Sequence, residues 1–436
     1  MTRVFNWHVP TLLAAALVAG VLAFAPNGAE AHHASEAGLE LGNVVEVSSG
    51  WMHTCARTDN GEVYCWGNNA TGNLGDGTAA TVRPIAGRVD GIGNGPVRQI
   101  SAGADHTCAI SAERDVWCWG GNLAGQLGGI PADLGLIRRT PGKVTYFRME
   151  ETAPKFVSVS AGNSHTCALD TNGQIWCWGS NTDGQLGSGS IFTGAQDADR
   201  VDQRSMGPAT KVIAGGGHTC GLGSGGAMWC WGDNADEQLG DGTNVDRRVP
   251  VRVSLTNGFP DGGVVTLSLG GMHTCASTAN GAAYCWGSNT FGRIGSPSNT
   301  STVTAQGPNS SVPVRVTMYD GGVLNGVTGI SAGLDHTCAW KATGGVGFCW
   351  GRNVYGHLGD GVVSTNQPRP RHPIMSVTLL MERTGAIETV SAGYNHTCSL
   401  NAGGRVHCWG HNGLGQGGDG TFVFHKEPAR VFRPPV

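Results

Sequence analysis

Histidine and cysteine recur together seven times in this chain of 436 residues, as the triplet His-Thr-Cys that begins at His53, His106, His165, His218, His273, His336 and His396. A second cysteine follows each triplet. The spacing is ten positions in Cys55/Cys65, Cys108/Cys118, Cys167/Cys177, Cys220/Cys230, Cys275/Cys285 and Cys398/Cys408, and eleven in Cys338/Cys349. One imidazole and two thiolates would suit a zinc ion with an open coordination position. Two thiols at this spacing would equally suit a disulfide across a hairpin. All 14 cysteines belong to these pairs and none is left over, which favours seven disulfides; neither metal nor cofactor is expected. Each histidine is then read as a structural hydrogen-bonding residue that ties backbone groups at the inner end of its unit.

Two further sets of residues could do chemistry. Asp76, Asp241, Asp360 and Asp419 each stand in a G-D-G turn, where a calcium ion is conceivable, but the other copies have Gly129, Ser188 and Ser296 there and no EF-hand pattern exists. They are read as turn aspartates. The second set comprises the two residues before each histidine, where the copies differ most: Trp51 and Met52, Asp105, Asn163, Met272, Asp335, Tyr394 and Asn395. On one face of a ring they would make a mixed aromatic, acidic and polar binding surface; the alternative is that they are ordinary loop residues. Neither a nucleophile elbow, a Walker loop nor H-E-x-x-H is present, and no catalytic residue is assigned.

These residues must be positioned by whatever surrounds the cysteines. Sequences such as Asn60-Gly61 and Asn172-Gly173 lie between the paired cysteines and suit a tight hairpin turn; Arg114 takes the glycine's place in the second copy and implies a strained or different turn. Placing Cys167 opposite Cys177 puts Leu169 opposite Ile175 on the same face, and Ala168 opposite Trp176 and Thr166 opposite Trp178 on the other. Small residues thus face aromatics across the hairpin, a sensible cross-strand pairing. Both faces are largely apolar, so something must cover both. Neighbouring blades of a propeller would do so. A buried helix is the competing reading of the apolar run, and the β-branched and aromatic residues between Asn-Gly turns oppose it.

The histidines are 53 to 63 residues apart, a fixed unit with elastic connections. The S-A-G strand, the two hairpin strands and a further strand after the G-x-L-G turn, often near P-x-x-V, would make one four-stranded antiparallel blade. The fold class expected is therefore all-β: a seven-bladed propeller over residues 44–436 with one disulfide per blade. Residues 1–31 combine Arg3, an apolar run too short to span a bilayer comfortably, and Ala29-Glu30-Ala31, which reads as a signal peptide cleaved after Ala31; an uncleaved anchor is the alternative. Residues 32–43 are read as a linker. Long connections at residues 129–156, 188–206, 296–311 and 362–385 give the copies their individuality. Charged residues are 14% and the formal net charge is −4, which argues against a nucleic-acid partner, since such a binder needs a basic face.

The segment S-A-G-x-x-H-T-C-A-[LI], clearest at residues 101–110, 160–169, 331–340 and 391–400, is followed by W-G-x-N-x-x-G-Q-L-G, as at 119–128 and 178–187. Together they resemble the repeat of the regulator of chromosome condensation family over about residues 44–431. The resemblance implies a seven-bladed propeller. Founding members exchange nucleotide on the Ran GTPase and bind chromatin. This chain departs from them in its paired cysteines and its leader, and is more similar to exported bacterial relatives, one of which inhibits β-lactamases by clamping the enzyme with its ring face.

The function expected from all this is a monomeric secreted or envelope-associated scaffold that binds a protein or surface glycan through one ring face and its loops, with no membrane insertion after the leader is removed. Two other classes stand beside it: guanine nucleotide exchange on a small GTPase, which nucleotide release would reveal, and an enzyme with its site in the central channel, which converging carboxylates would reveal.

Overall fold

The innermost strand of each repeat, the S-A-G strand, begins a run of four successive antiparallel strands, and the computed structural model contains seven such sheets. It describes residues 38–129, 134–145, 154–192, 194–296, 308–367 and 386–435. The expected signal segment 1–31, linker residues 32–37, and loop residues 146–148, 297–307 and 369–372 lie outside this description. Blade 3 is representative: Phe156–Ala161, His165–Asp170, Ile175–Ser180 and Gly194–Arg200 pair in chain order. The seven-bladed, four-stranded architecture expected from the repeat is the one found.

The register of the hairpin follows the cysteines. Cys167 faces Cys177, Leu169 faces Ile175, Ala168 faces Trp176 and Thr166 faces Trp178. The same alignment sets Cys55 against Cys65, Cys108 against Cys118, Cys220 against Cys230, Cys275 against Cys285 and Cys398 against Cys408. In blade 6 the extra residue is absorbed in the turn, and Cys338 still faces Cys349. All seven facing pairs form disulfides, Cys55–Cys65, Cys108–Cys118, Cys167–Cys177, Cys220–Cys230, Cys275–Cys285, Cys338–Cys349 and Cys398–Cys408, which is the pairing the spacing predicts. Their Cα atoms are 4.1 Å apart, near the spacing of a non-hydrogen-bonded antiparallel pair. Arg114 holds φ at 64°, the left-handed conformation that glycine supplies at Gly61 and Gly173.

Burial is divided among the seams between blades. The cysteine face of one blade packs against the small-aromatic face of the next; between blades 2 and 3 this joins Cys108, Cys118, Ile110 and Val116 to Ala168, Trp176 and Trp178. The ring closes without mixing strands, because blade 1 uses only Val44–Ser49 to Val82–Val89 and blade 7 only Ile387–Ala392 to His425–Arg430. Part of the segment read as a linker takes part in closure: Leu39–Glu40 pairs with Phe432–Arg433, and Leu41 is buried in the seam between blades 7 and 1.

Antiparallel order also sorts the loops. Turns between first and second strands and loops between third and fourth strands lie at one end of the ring, here called the histidine face. The Asn-Gly turns and blade-to-blade connections lie at the other.

Candidate functional site

Each His-Thr-Cys triplet proves to be a joint between blades. His165 Nε2 lies 2.9 Å from Thr219 Oγ1 of blade 4, and Thr219 Oγ1 in turn donates to the carbonyl of Gln185 in blade 3 at 2.8 Å. Trp231 Nε1 donates to the same carbonyl at 2.9 Å. Because the threonine proton is committed to that carbonyl, the histidine must donate from Nε2, which leaves Nδ1 the unprotonated nitrogen of a neutral ring. The arrangement recurs at every seam, from His53 with Thr107 to His336 with Thr397, and His396 with Thr54 closes the circle. Burial drives His53, His165, His218 and His396 down to about 3, and lowers His273 and His336 well below the usual value. The ties thus run to threonine hydroxyls of the next blade, a correction to the backbone partners expected from sequence. The cysteine two residues after each histidine and the one facing it, such as Cys65, Cys230 and Cys285, are joined as disulfides, so no thiolate is available as a ligand.

The turn aspartates serve their own loops. Asp76 accepts from the backbone N–H and hydroxyl of Thr78 and pairs with Arg83; Asp241 does the same with Thr243 and Arg247. Asp419 is held by Thr421 and His425, and Asp360 accepts from the N–H of Val362.

The first of the two variable residues before each histidine lies at the channel mouth in every blade. The first of each pair donates its N–H to the glycine carbonyl of the next blade, from Trp51 to Gly103 and onward until Tyr394 donates to Gly50, a closed ring of seven bonds at 3.0–3.3 Å. The preceding glycine permits that approach: a Cβ on Gly162 would lie 2.6 Å from the Gly215 carbonyl oxygen and 2.8 Å from the His165 ring. Trp51, Asn163, Leu334, Tyr394 and Met272 line a cavity of about 570 Å³, together with Asp183 and Asp233 from the third-to-fourth strand loops.

Four of the candidate residues do not line it. Asp335 bridges Arg293 and Arg352 at 3.1 Å each, Asp105 accepts from Gln126 Nε2, Asn395 is buried, and Met52 sits beside Gln416. Asp105 and Asp335 therefore do not meet as a carboxylate pair in the channel. Sequence reading missed Asp183 and Asp233, which lie more than a dozen residues from the nearest histidine; the loop order of a blade, which places both kinds of turn at one end, was the available signal.

Apolar exposure is one-sided. Of the 22 large apolar side chains exposed among the described residues, 14 belong to turns and loops of the histidine face, including Ile191, Phe192, Val363 and Phe424, and only Leu255, Tyr319 and Val323 belong to loops of the other. Tyr355, His411 and Phe424 pack ring to ring at 4.7–5.4 Å in the same region. Exposed apolar side chains concentrated on one end of a protein are a common feature of interaction surfaces.

Comparison with known proteins places these features in a family. A family model described as RCC1-like domain matches residues 20–316, and the regulator of chromosome condensation (RCC1) repeat matches residues 345–400 and 387–416. The ultraviolet-B receptor UVR8 of Arabidopsis thaliana is 32% identical over 337 residues, covering 76% of this chain and 70% of that protein. The secretion-regulating guanine nucleotide exchange factor of Mus musculus is 28% identical and covers 80% and 75%. The probable E3 ubiquitin-protein ligase HERC6 of Homo sapiens is 30% identical, but the match spans only 28% of it. Among solved structures, human WBSCR16 superposes with a TM-score of 0.73 at 21% identity, covering 86% of this chain and 96% of that one. Prp20p of Saccharomyces cerevisiae gives 0.68 at 20% identity and 82% of each chain. At those identities the structures speak to the fold alone.

Proposed function

The chain belongs to the family of RCC1-like propellers, and on that footing we propose that it is a binding scaffold without catalytic chemistry of its own, which recognises a protein partner through its histidine face. The concentration of exposed apolar side chains on one end of the ring carries this reading. A light receptor, an exchange factor and a ubiquitin ligase carry the same repeat, so the scaffold is common to proteins of unlike activity. The leader at residues 1–31 and the paired cysteines in every blade support action outside the cytoplasm. Both features favour an exported partner over a small GTPase, the reading that the exchange-factor relative would suggest.

The test uses the oxidised chain, immobilised and exposed to envelope and medium fractions of its source. Wild type is compared with Trp51→Ala/Tyr394→Ala on the histidine face and Tyr319→Ala/Val323→Ala on the opposite face. A single protein retained by wild type and by the opposite-face variant, and lost from the first, is expected. Equal retention by all three would sink the proposal, release by free sugars would replace the protein with a glycan, and nucleotide release from a GTPase would restore the exchange reading. N-terminal sequencing of exported material is expected to begin at His32.

A further inference from the structure

The histidine face is polarised across its centre. On one side of the cavity Leu334, Tyr394 and Trp51 come from the consecutive blades 6, 7 and 1, with the Trp51 and Tyr394 rings 5.1 Å apart. On the far side, blades 3 and 4 bring Asp183 and Asp233 together over Gly217, where a Cβ would lie 3.1 Å from Asp233 Cβ and 3.5 Å from Asp183 Oδ2. Three other aspartates on this face carry arginine ion pairs: Asp76 with Arg83, Asp241 with Arg247, and Asp335 with two arginines. Asp183 and Asp233 do not. Asp183 accepts from the Thr182 hydroxyl and Asp233 from the Ala235 N–H, and no cation lies within ion-pair reach of either among the described residues. Burial, with Asp183, Asp246 and Asp236 nearby, raises the Asp233 carboxyl above its ordinary range against the pull of that N–H. Asn163 of blade 3 also lines the cavity, and its amide oxygen is shielded from solvent without a hydrogen-bond partner.

Asp183 and Asp233, the two carboxylates on the blade 3–4 side, are acceptors that lack a charged donor. We infer that the partner is a protein presenting a loop in which an apolar side chain, seated against Trp51, Tyr394 and Leu334, stands next to a lysine or arginine directed at Asp183 and Asp233. This rests on the histidine-face reading above and adds the chemistry of the occupant. Desolvated aromatic anchors supply most of the affinity of such contacts, while complementary charge sets orientation and excludes other partners. A cation here would meet two carboxylates that already repel one another, so it gains from both. An anionic lipid surface or an acidic protein would be repelled by the same pair.

A random linear peptide library displayed on phage, selected on the full oxidised protein, tests this without knowledge of the partner. Enriched peptides should pair an aromatic or aliphatic residue with an adjacent Lys or Arg. As synthetic peptides they should bind at least roughly tenfold more weakly to Asp183→Asn/Asp233→Asn and to Trp51→Ala/Tyr394→Ala, a factor worth about 1.4 kcal/mol. Binding should also weaken as salt rises from roughly 50 to roughly 500 mM. Both double variants alter partly exposed side chains, and an unchanged melting transition verifies that each is folded.

Peptides that need Trp51 and Tyr394 but lack a basic residue, or that ignore Asp183→Asn/Asp233→Asn, would overturn this inference and leave the histidine-face reading standing. Peptides indifferent to both variants would place binding elsewhere and overturn both. Lack of enrichment over an unrelated protein also counts against the inference. Sedimentation with phosphatidylglycerol vesicles, or self-association abolished by Trp51→Ala, would assign the face to a lipid surface or a second copy instead.

Discussion

The seam between blades 2 and 3 and the seam between blades 6 and 7 use the same joint and fill it differently. In the first, His106 meets Thr166, and Gln126 offers its carbonyl to Thr166 and Trp178; in the second, His336 meets Thr397, and His357 offers its carbonyl to Thr397 and Trp409. Around that joint the first seam is apolar, with Trp176 opposite Ala168. The second has His407, next to the bridged Cys408, opposite Ser399 in the same register. Both His407 nitrogens and the Ser399 hydroxyl are buried without partners, as are both nitrogens of His357, whereas the Gln126 side chain is satisfied by Ala124 N–H and Asp105. A polar tie thus holds register at every seam, while apolar fill decides how firmly a given seam is closed. Unpaired buried polar groups make the blade 6–7 seam the weaker of the two.

The largest expected contrast comes from truncating the equivalent residue in each seam. Trp176→Ala removes a fully buried indole and the donor to Asp170 Oδ2, and should cost about 3–5 kcal/mol in denaturant unfolding. His407→Ala removes a ring that makes no hydrogen bond and should cost less than about 1 kcal/mol. Equal losses would mean that the seams are equally well packed.

Acid should separate the seams next. Burial, with Arg430 and Arg405 adding to it, lowers His407 to about 4 against an ordinary 6.5. Between those values the unfolded chain takes up a proton that the folded chain does not, so stability is complete above about pH 6.5 and is lost as pH falls toward 4. At pH 5 this residue alone should account for about 2 kcal/mol, measured as the reduced pH dependence of His407→Phe relative to wild type. An identical pH profile for the two proteins would remove His407 from the account. Anchor histidines outside the two seams, such as His165 and His396, lowered to about 3, titrate alike in both proteins, so the difference between variants isolates His407.

A gain is expected from giving the weaker seam the residues of the stronger. Ser399→Ala/His407→Trp recreates the Ala168 and Trp176 pair and removes three buried polar atoms without partners; it should stabilise by about 1–2 kcal/mol at neutral pH. A loss would show that the space beside Cys338 and Leu358 cannot accept an indole.

Residues facing each other within one hairpin were legible because strand alternation is strict: once Cys167 faces Cys177, Ala168 must face Trp176. Residues meeting between blades were not. Nothing in the spacing of His165 and Thr219, 54 positions apart, says which atoms touch, because blade-to-blade rotation is a property of the whole ring. The candidate surface was half legible for the same reason. Trp51, Asn163 and Tyr394 could be placed on a ring face by their shared position before the histidine, but Asp183 and Asp233 enter through a different loop, and Asp335 is withdrawn by arginines from two blades.

The smallest expected effect concerns the one local flaw in the firmer seam. The carbonyl of Arg114 accepts the N–H of Phe156 at 2.9 Å, as that of Gly345 accepts the N–H of Ile387 at 3.2 Å, so both turns guide the next innermost strand into place. Arg114 does so at φ 64° and Gly345 at 59°, but a Cβ on Gly345 would lie 2.5 Å from the Cα of Ala386, so only the blade 2 turn has room for a side chain. Arg114→Gly relieves left-handed strain of about 1–2 kcal/mol and admits extra unfolded-state freedom of about 0.5–1 kcal/mol, a net gain of about 0–1.5 kcal/mol. Hydrogen exchange should show that gain as slower opening at Phe156. No change there would mean that the turn is already relaxed by its loop, and that apolar fill alone distinguishes this seam from its counterpart.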